Sequence, residues 1–97
     1  MELARIGDKA TGICRAHKRP RNVTGILSQG SSTCFVDGKG AVRVGDSVTF
    51  DCGHTGIVAS GSSSFVIEGK GMARVGDSVI GPMTAVIVSG SPSTDSD

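Results

Sequence analysis

The sequence lacks the large side chains that usually fill a protein core. Among its 97 residues there is no Trp or Tyr, and Phe35, Phe50 and Phe65 are the only aromatic residues. A chain of this size buries only about 60–65% of the surface that its unfolded form exposes. We therefore expect a thin core that needs an additional tie, such as a metal. No apolar run approaches the roughly 20 residues that a transmembrane helix requires.

An excess of charge of one sign is also missing. Ten Lys and Arg stand against nine Asp and Glu, a formal net charge of +1, which excludes a strongly basic nucleic-acid binder on bulk charge. Residues 1–5 carry no hydrophobic region of a signal peptide, so we expect a protein made in the cytoplasm. The sequence contains three cysteines, an odd number. In a reducing compartment, paired cysteines then indicate metal binding and not a disulfide framework.

What the sequence does contain is glycine and an internal repeat. Its 15 glycines predict tight turns and therefore β structure. Residues 25–40 align without gaps on residues 56–71, and both copies continue into Arg-Val-Gly-Asp. A similar Arg-Ile-Gly-Asp opens the chain, and a third, shortened copy follows at residues 85–91. We predict an all-β fold, a conical pseudo-threefold arrangement of three short β-hairpins, with one domain over residues 1–90 and a mobile tail over residues 91–97.

Strands and turns can be predicted within each copy. In the second copy, residues 57–59 and 65–67 are short runs rich in β-branched residues, separated by Ser-Gly-Ser-Ser, which predicts a hairpin between them. Residues 68–71 predict a second turn. The following Arg-Val-Gly-Asp predicts a bend. For Arg5, Arg43 and Arg74, each three residues before an Asp, we favour bracing of that bend over contact with a partner.

Cysteine and histidine occur together in the inserts that separate the repeat Asp from the next strand. The first insert carries Cys14 and His17, and the second carries Cys52 and His54. Each cysteine stands six residues after its repeat Asp, whereas that position in the third copy is Met83, with no histidine after it. If these loops converge near the axis, two thiolates and two imidazoles form a closed tetrahedral set. Such a set suits zinc, with iron as the less favoured ion.

A closed set of four protein ligands leaves no open position for water, so it predicts a structural and not a catalytic metal. A structural zinc contributes about 10–16 kcal/mol, comparable to the roughly 5–15 kcal/mol of net stability of a small domain. The alternative is that the histidines are exposed loop residues and the cysteines small buried hydrophobes. We favour the metal because both pairs share one register and include both histidines of the chain.

Two other features receive simpler interpretations. Cys34 aligns with Phe65 on a strand, so we expect a core residue and not a reactive thiol or a further ligand. Residues 18–21, Lys-Arg-Pro-Arg, form a short basic run. Because the chain offers no aromatic stacking platform, we expect a solvated loop face and not a nucleic-acid contact.

The segment GSSSFVIEGKGMARVGD at residues 61–77 resembles the signature of PAAR-repeat proteins, which are named after a Pro-Ala-Ala-Arg run ahead of Gly-Asp. The likeness covers nearly the whole chain, and the chain looks similar to the small spike-tip proteins of T4-like bacteriophage tails. Here the Pro position is Gly40 or Gly71, while the Arg, Gly and Asp remain in register. Family members typically hold zinc with three histidines and one cysteine, whereas the candidates here are two of each.

The resemblance implies a cone of three β-hairpins with its metal at the vertex. Its base is expected to cap a trimeric β-helical spike, one copy per trimer, in a phage tail or a type VI secretion needle. One pseudo-threefold chain can present similar edges to three identical chains and cover their exposed strand ends. The protein is then expected at the tail tip of a virion, with transient contact to the target cell membrane. Nucleic acid, a small-molecule substrate and enzymatic activity are not expected.

Two other function classes can be set against this interpretation. A zinc-ribbon-like nucleic-acid-binding module would use Cys14, His17 and the basic run at residues 18–21. A small zinc hydrolase would need an open coordination position and a nearby carboxylate base, and Asp51 is the only acid beside the candidate ligands. The hydrolase is the least favoured of the three.

Overall fold

The computed structural model describes residues 2–15, 19–36 and 38–91. Within these ranges the regular structure is entirely β, and no helix long and apolar enough to cross a membrane is present. The strands are β1 (Lys9–Cys14), β2 (Arg21–Leu27), β3 (Phe35–Val36), β4 (Lys39–Gly40), β5 (Ser47–Phe50), β6 (Thr55–Val58), β7 (Val66–Ile67), β8 (Lys70–Gly71), β9 (Ser78–Ile80) and β10 (Met83–Ile87).

The six longer strands close into a barrel in the order β1-β10-β9-β6-β5-β2, and every neighbouring pair is antiparallel. Read around the barrel, these strands are three hairpins, β1–β2, β5–β6 and β9–β10. The body measures 39 × 23 × 23 Å, with two equal short dimensions about one long axis. The predicted all-β fold built on three hairpins is confirmed.

The hairpins themselves differ from those predicted within each copy. Strand β6 does not pair with β7 across Ser-Gly-Ser-Ser; it pairs with β5 and β9. The Ser62 hydroxyl accepts hydrogen bonds from the backbone N–H groups of Ser64 and Phe65 and so turns the chain away from β6. Strand β7 pairs with β8 through a turn at residues 68–69, within the predicted turn at residues 68–71, and Gly69 there has a φ of 78°. We call β3–β4 and β7–β8 the base hairpins.

The barrel core consists of layers to which each hairpin contributes one side chain. The strands alternate between buried and exposed residues, as expected when one face of a sheet covers a core. The first layer comes from the first, or outgoing, strand of each hairpin and consists of Ala10, Val48 and Val79. The second layer comes from the second, or returning, strand and consists of Leu27, Val58 and Ile87. Each of these six side chains is at most 1% exposed. These aliphatic residues fill a narrow barrel together with Phe50, its one buried aromatic side chain among the described residues.

Three short axial segments, residues 3–5, 41–43 and 72–74, close the base end of the barrel. Isolated β-bridges join each segment to the other two. At their centres the backbone N–H of Ala4 donates to the carbonyl of Ala73, Ala73 to Val42, and Val42 to Ala4, at 2.9, 2.8 and 3.2 Å. The three residues are buried, where an unpaired backbone N–H or C=O would be costly. Each of these N–H and C=O groups is hydrogen-bonded to the equivalent residue of another segment. This ring relates the three segments by a pseudo-threefold axis that passes through it.

Each barrel hairpin begins at a turn that its own arginine braces. The Asp backbone N–H donates to the Arg carbonyl three residues earlier at 3.0 Å, and the glycine between them has a φ of 94° or 95°. Glycine adopts this φ at no steric cost. The guanidinium also donates to both carboxylate oxygens, as from Arg43 to Asp46 at 2.9 Å. The predicted bracing is confirmed in all three pairs: Arg5 with Asp8, Arg43 with Asp46 and Arg74 with Asp77.

The third copy follows the other two as far as Ser91. In each copy a buried serine donates its backbone N–H to a carbonyl of an axial segment: Ser31 to Ala41, Ser62 to Met72 and Ser91 to Leu3. Ser91, the first residue of the predicted tail, is therefore held against the barrel. Residues 92–97 lie outside the described residues.

Candidate metal centre

The ends of the three barrel hairpins meet at the end of the barrel opposite the axial segments, which we call the tip. Strand β1 ends there with Cys14, which is fully buried and lies between Arg21 of β2 and Met83 of β10. The backbone N–H of Arg15 donates to the carbonyl of Pro82 at 2.8 Å, which ties the first hairpin to the turn of the third. The thiol of Cys14 thus reaches the tip from the buried end of a strand that is paired on both sides.

The second hairpin supplies its two donors from the loop at residues 51–54. Gly53 has a φ of 85°, and its backbone N–H donates to the carbonyl of Phe50. The backbone N–H of Phe50 in turn donates to the carbonyl of His54. This tight loop leaves Cys52 and His54 half-buried and two residues apart. Glycine at position 53 is therefore a requirement of the loop conformation.

The three side chains converge. Nδ1 of His54 lies 3.5 Å from Sγ of Cys52 and 3.9 Å from Sγ of Cys14. The donor atoms of the three residues all lie within 4.8 Å of one another. With bonds of about 2.3 Å to sulfur and 2.0 Å to nitrogen, a tetrahedral zinc sets its sulfur and nitrogen donors about 3.5 Å apart. The spacing of 3.5 Å between His54 and Cys52 equals that requirement, and the spacing of 3.9 Å between His54 and Cys14 is somewhat longer.

The chemistry of this donor set fits a metal ion. Two sulfurs and one imidazole nitrogen are soft or borderline ligands, which suit zinc and iron in tetrahedral sites and do not suit calcium or magnesium. The cluster of Cys14, Cys52 and His54 could therefore hold a metal. The predicted fourth donor, His17, lies outside the described residues.

Met83 does not occupy the place in the fold that the residue count predicts. The count aligns it with Cys14 and Cys52, but it begins the returning strand β10. Its place in the returning strand is that of His54, because Met83 stands two residues before Ala85 and His54 stands two residues before Gly56. The reason is that the third hairpin turns within residues 81–82, so its strand reverses earlier than in the other two.

Cys34 and Asp51 lie outside the cluster. Cys34 is half-buried at the base and packs against a cluster of Leu3, Val36, Ala41 and Met72, as expected of a core residue. Asp51 is exposed, and its Oδ1 accepts a hydrogen bond from the backbone N–H of Thr24 at 3.3 Å. Among the described residues, Cys14, Cys52 and His54 form the one group of three or more potential metal donors.

The base carries a second feature, which sequence reasoning missed. Phe35, Phe65 and Val66 lie on or beside the base hairpins and are 59%, 41% and 52% exposed. The two hairpins are linked by Glu68, which pairs with Arg43 and accepts a hydrogen bond from Thr33. Hydrogen bonds from Ser31 and Thr33, together with Arg43, lower the pKa of Glu68. No sequence signal indicated this exposure, because Phe65 and Val66 lie in a short run whose composition is that of a buried strand.

Comparison with known proteins agrees with the repeat. The family model for the PAAR motif matches residues 53–97, a little under half of the chain. The match begins within the loop that carries His54 and spans the second base hairpin and the last Arg-Val-Gly-Asp turn, and it supports a PAAR-repeat protein. A search of curated proteins finds no match to this chain.

Proposed function

We propose that this chain is a structural tip protein that caps a trimeric β-helical spike of a contractile injection machine. The spike of a T4-like phage tail is the first candidate and a type VI secretion needle the second. In this role the protein acts at the tail tip of a virion and touches the target cell envelope during penetration. The observation that carries the proposal is the pseudo-threefold barrel, with its axial ring at one end and its sulfur and imidazole donors at the other.

Symmetry supports a trimeric partner. A threefold trimer presents three identical strand ends around one axis, and a monomer can match them only if it repeats similar surfaces about the same axis. The three axial segments and the braced turns repeat in this way at the base. We propose one chain per trimer, seated on the base.

The exposed side chains of the base support a protein partner there. Phe35, Phe65 and Val66 expose apolar surface, and aromatic residues are enriched where protein interfaces form. Two-residue strands with free edges would pair with, or be covered by, the strand ends of a β-helix. We therefore propose that the base hairpins contact the spike.

Zinc is the ion we propose at the tip, held by Cys14, Cys52, His54 and His17. Bound there, it would tie the first and second hairpins together and add rigidity where force concentrates. Four protein donors fill a tetrahedral shell, so the proposed role is structural and no enzymatic activity is proposed. Neither a small-molecule substrate nor a nucleic acid is part of this proposal.

Copurification with a trimeric β-helical spike protein tests the proposal. The metal-loaded chain is mixed with the purified trimer, and the mass of the complex is measured by light scattering after size exclusion. We expect one chain per trimer. A complex of three chains per trimer, or no complex, contradicts the proposal.

A matched pair of variants locates the interface. Phe35→Ser changes an exposed apolar residue at the base, and Ile26→Ser changes a similarly exposed one, 51% exposed, on the barrel wall. We expect Phe35→Ser to weaken trimer binding at least tenfold, as a central aromatic contact does, while Ile26→Ser leaves it unchanged. Equal effects of both variants would contradict the assignment of the base.

A further inference from the structure

Positive charge is concentrated at the tip. Four of the ten Lys and Arg lie within residues 15–21, a segment that contains no Asp or Glu. The structure describes three of these four, Arg15, Arg19 and Arg21, and all are exposed. Within the described ranges, none of the three forms an ion pair.

Their surroundings differ from those of the other arginines. Arg5, Arg43 and Arg74 are each neutralised by a carboxylate in their own turn. At the tip, the loop at residues 51–54 carries one acid, Asp51, whose carboxylate accepts a hydrogen bond from the backbone N–H of Thr24. The tip is therefore a cationic end on a chain whose total charge is only +1.

An apolar row lies on the barrel wall next to these cations. Ile13 faces Thr84, Thr84 faces Ile80, and Ile80 faces Ile57 across adjacent strands. The three isoleucines are 39%, 55% and 50% exposed. Ile13 directly precedes Cys14, and Ile80 directly precedes the turn at residues 81–82, so two of the three stand at the tip.

We propose that the tip binds the surface of an anionic phospholipid bilayer, with Arg15, Arg19 and Arg21 on lipid phosphates and Ile13 and Ile80 in the interface. Each cation near an anionic bilayer strengthens binding about fivefold. Apolar side chains beside the cations add affinity as they enter the boundary of the acyl chains. This inference rests on the proposed function only for its setting at a cell envelope.

A bilayer fits these residues better than a nucleic acid does. The phosphates of a bilayer or of a nucleic acid would both pair with the arginines. A nucleic acid would also need aromatic side chains on the protein for its bases to stack on, and it offers no apolar surface to exposed isoleucines. Phe50 is buried, whereas Phe35 and Phe65 lie at the opposite end of the molecule. The apolar row adjoining the cations is what selects the membrane.

Vesicle cosedimentation of the metal-loaded chain tests this inference. Vesicles of phosphatidylcholine alone are compared with vesicles that contain about 30% phosphatidylglycerol, at low and at high salt. Arg15→Gln with Arg19→Gln removes two positive charges from the tip. Lys39→Gln with Lys70→Gln removes two from the base hairpins, where both lysines are exposed. Melting temperature and metal content are measured for both variants, because exposed substitutions should leave the fold intact.

We expect binding to the anionic vesicles only, weaker at high salt because screening shortens the reach of exposed charges. The tip variant should bind about 25-fold more weakly, and the base variant should bind as the parent chain does. Equal binding to neutral vesicles, equal loss in both variants, or a preference for double-stranded DNA over anionic vesicles would overturn the inference. A chain that binds anionic vesicles but no spike trimer would overturn the proposed function and leave this inference standing.

Discussion

Replacing Cys52 by alanine is the sharpest test of the metal centre. The thiol of Cys52 lies 3.5 Å from Nδ1 of His54, and all donor atoms of the cluster lie within 4.8 Å. A metal at this point would join the end of β1 to the loop at residues 51–54. We expect Cys52→Ala to release the metal and leave the two hairpins joined by strand pairing, their shared core and the hydrogen bond between Thr24 and Asp51.

The expected loss of folding stability follows from the linkage between metal binding and folding. An ion present at about a thousand times its dissociation constant stabilises the folded state by about 4 kcal/mol. In a domain of this length each kcal/mol shifts the melting temperature by roughly 4–8 °C. Cys52→Ala should therefore lower the melting temperature by about 15–30 °C in the presence of metal and by far less in a chelator.

Cys34→Ala is the matched control, because both thiols are half-buried and the change removes the same atom. This variant should keep its metal and lose only about 1 kcal/mol from weaker packing. Thermal melts with and without chelator, together with elemental analysis, measure both quantities. Unchanged melting of Cys52→Ala in metal, or loss of the metal from Cys34→Ala, would refute the reasoning.

Two further predictions concern the turns and the barrel. Burial would raise the pKa of Asp8, but hydrogen bonds and charge from Arg5 outweigh it and hold the pKa below the ordinary 3.8. The stability contributed by Asp8 is therefore complete above about pH 4 and is lost as the pH falls through the lowered value. Asp8→Asn should reduce the fall in melting temperature between neutral and acid pH; an unchanged fall would argue against the pair. Gly45→Ala should cost about 1–2 kcal/mol, since the glycine has a φ of 94° and open space around it. Gly12→Ala should prevent normal folding, because a Cβ there would lie 2.1 Å from the carbonyl oxygen of Thr84; similar denaturant midpoints for the two variants would contradict this comparison.

The turns were predictable because their interactions are local. The Arg, Gly and Asp of each turn lie within four residues, so the sequence alone shows the donor, the acceptor and the permissive glycine. The turn at residues 68–71 was predictable for the same reason. Repetition of these units then indicated three similar sectors.

The pairing of β6 was predicted wrongly because strand partners are not a local property. Residues 57–59 have the composition of a strand, but hydrogen bonding to β5 and β9 depends on closure of the whole barrel. Similarly, the count that aligned Met83 with the cysteines failed because the third hairpin reverses earlier.

The sequence by itself determined the three-part repeat, the braced turns and the residue types that could bind a metal, since each depends on neighbours along the chain. Only the tertiary structure decided that Cys14 meets the loop of Cys52 and His54, that the axial segments close into one ring, and that Ile13 and Ile80 stand in one exposed row at the tip. These juxtapositions join residues far apart in sequence, and barrel closure fixes which strands become neighbours.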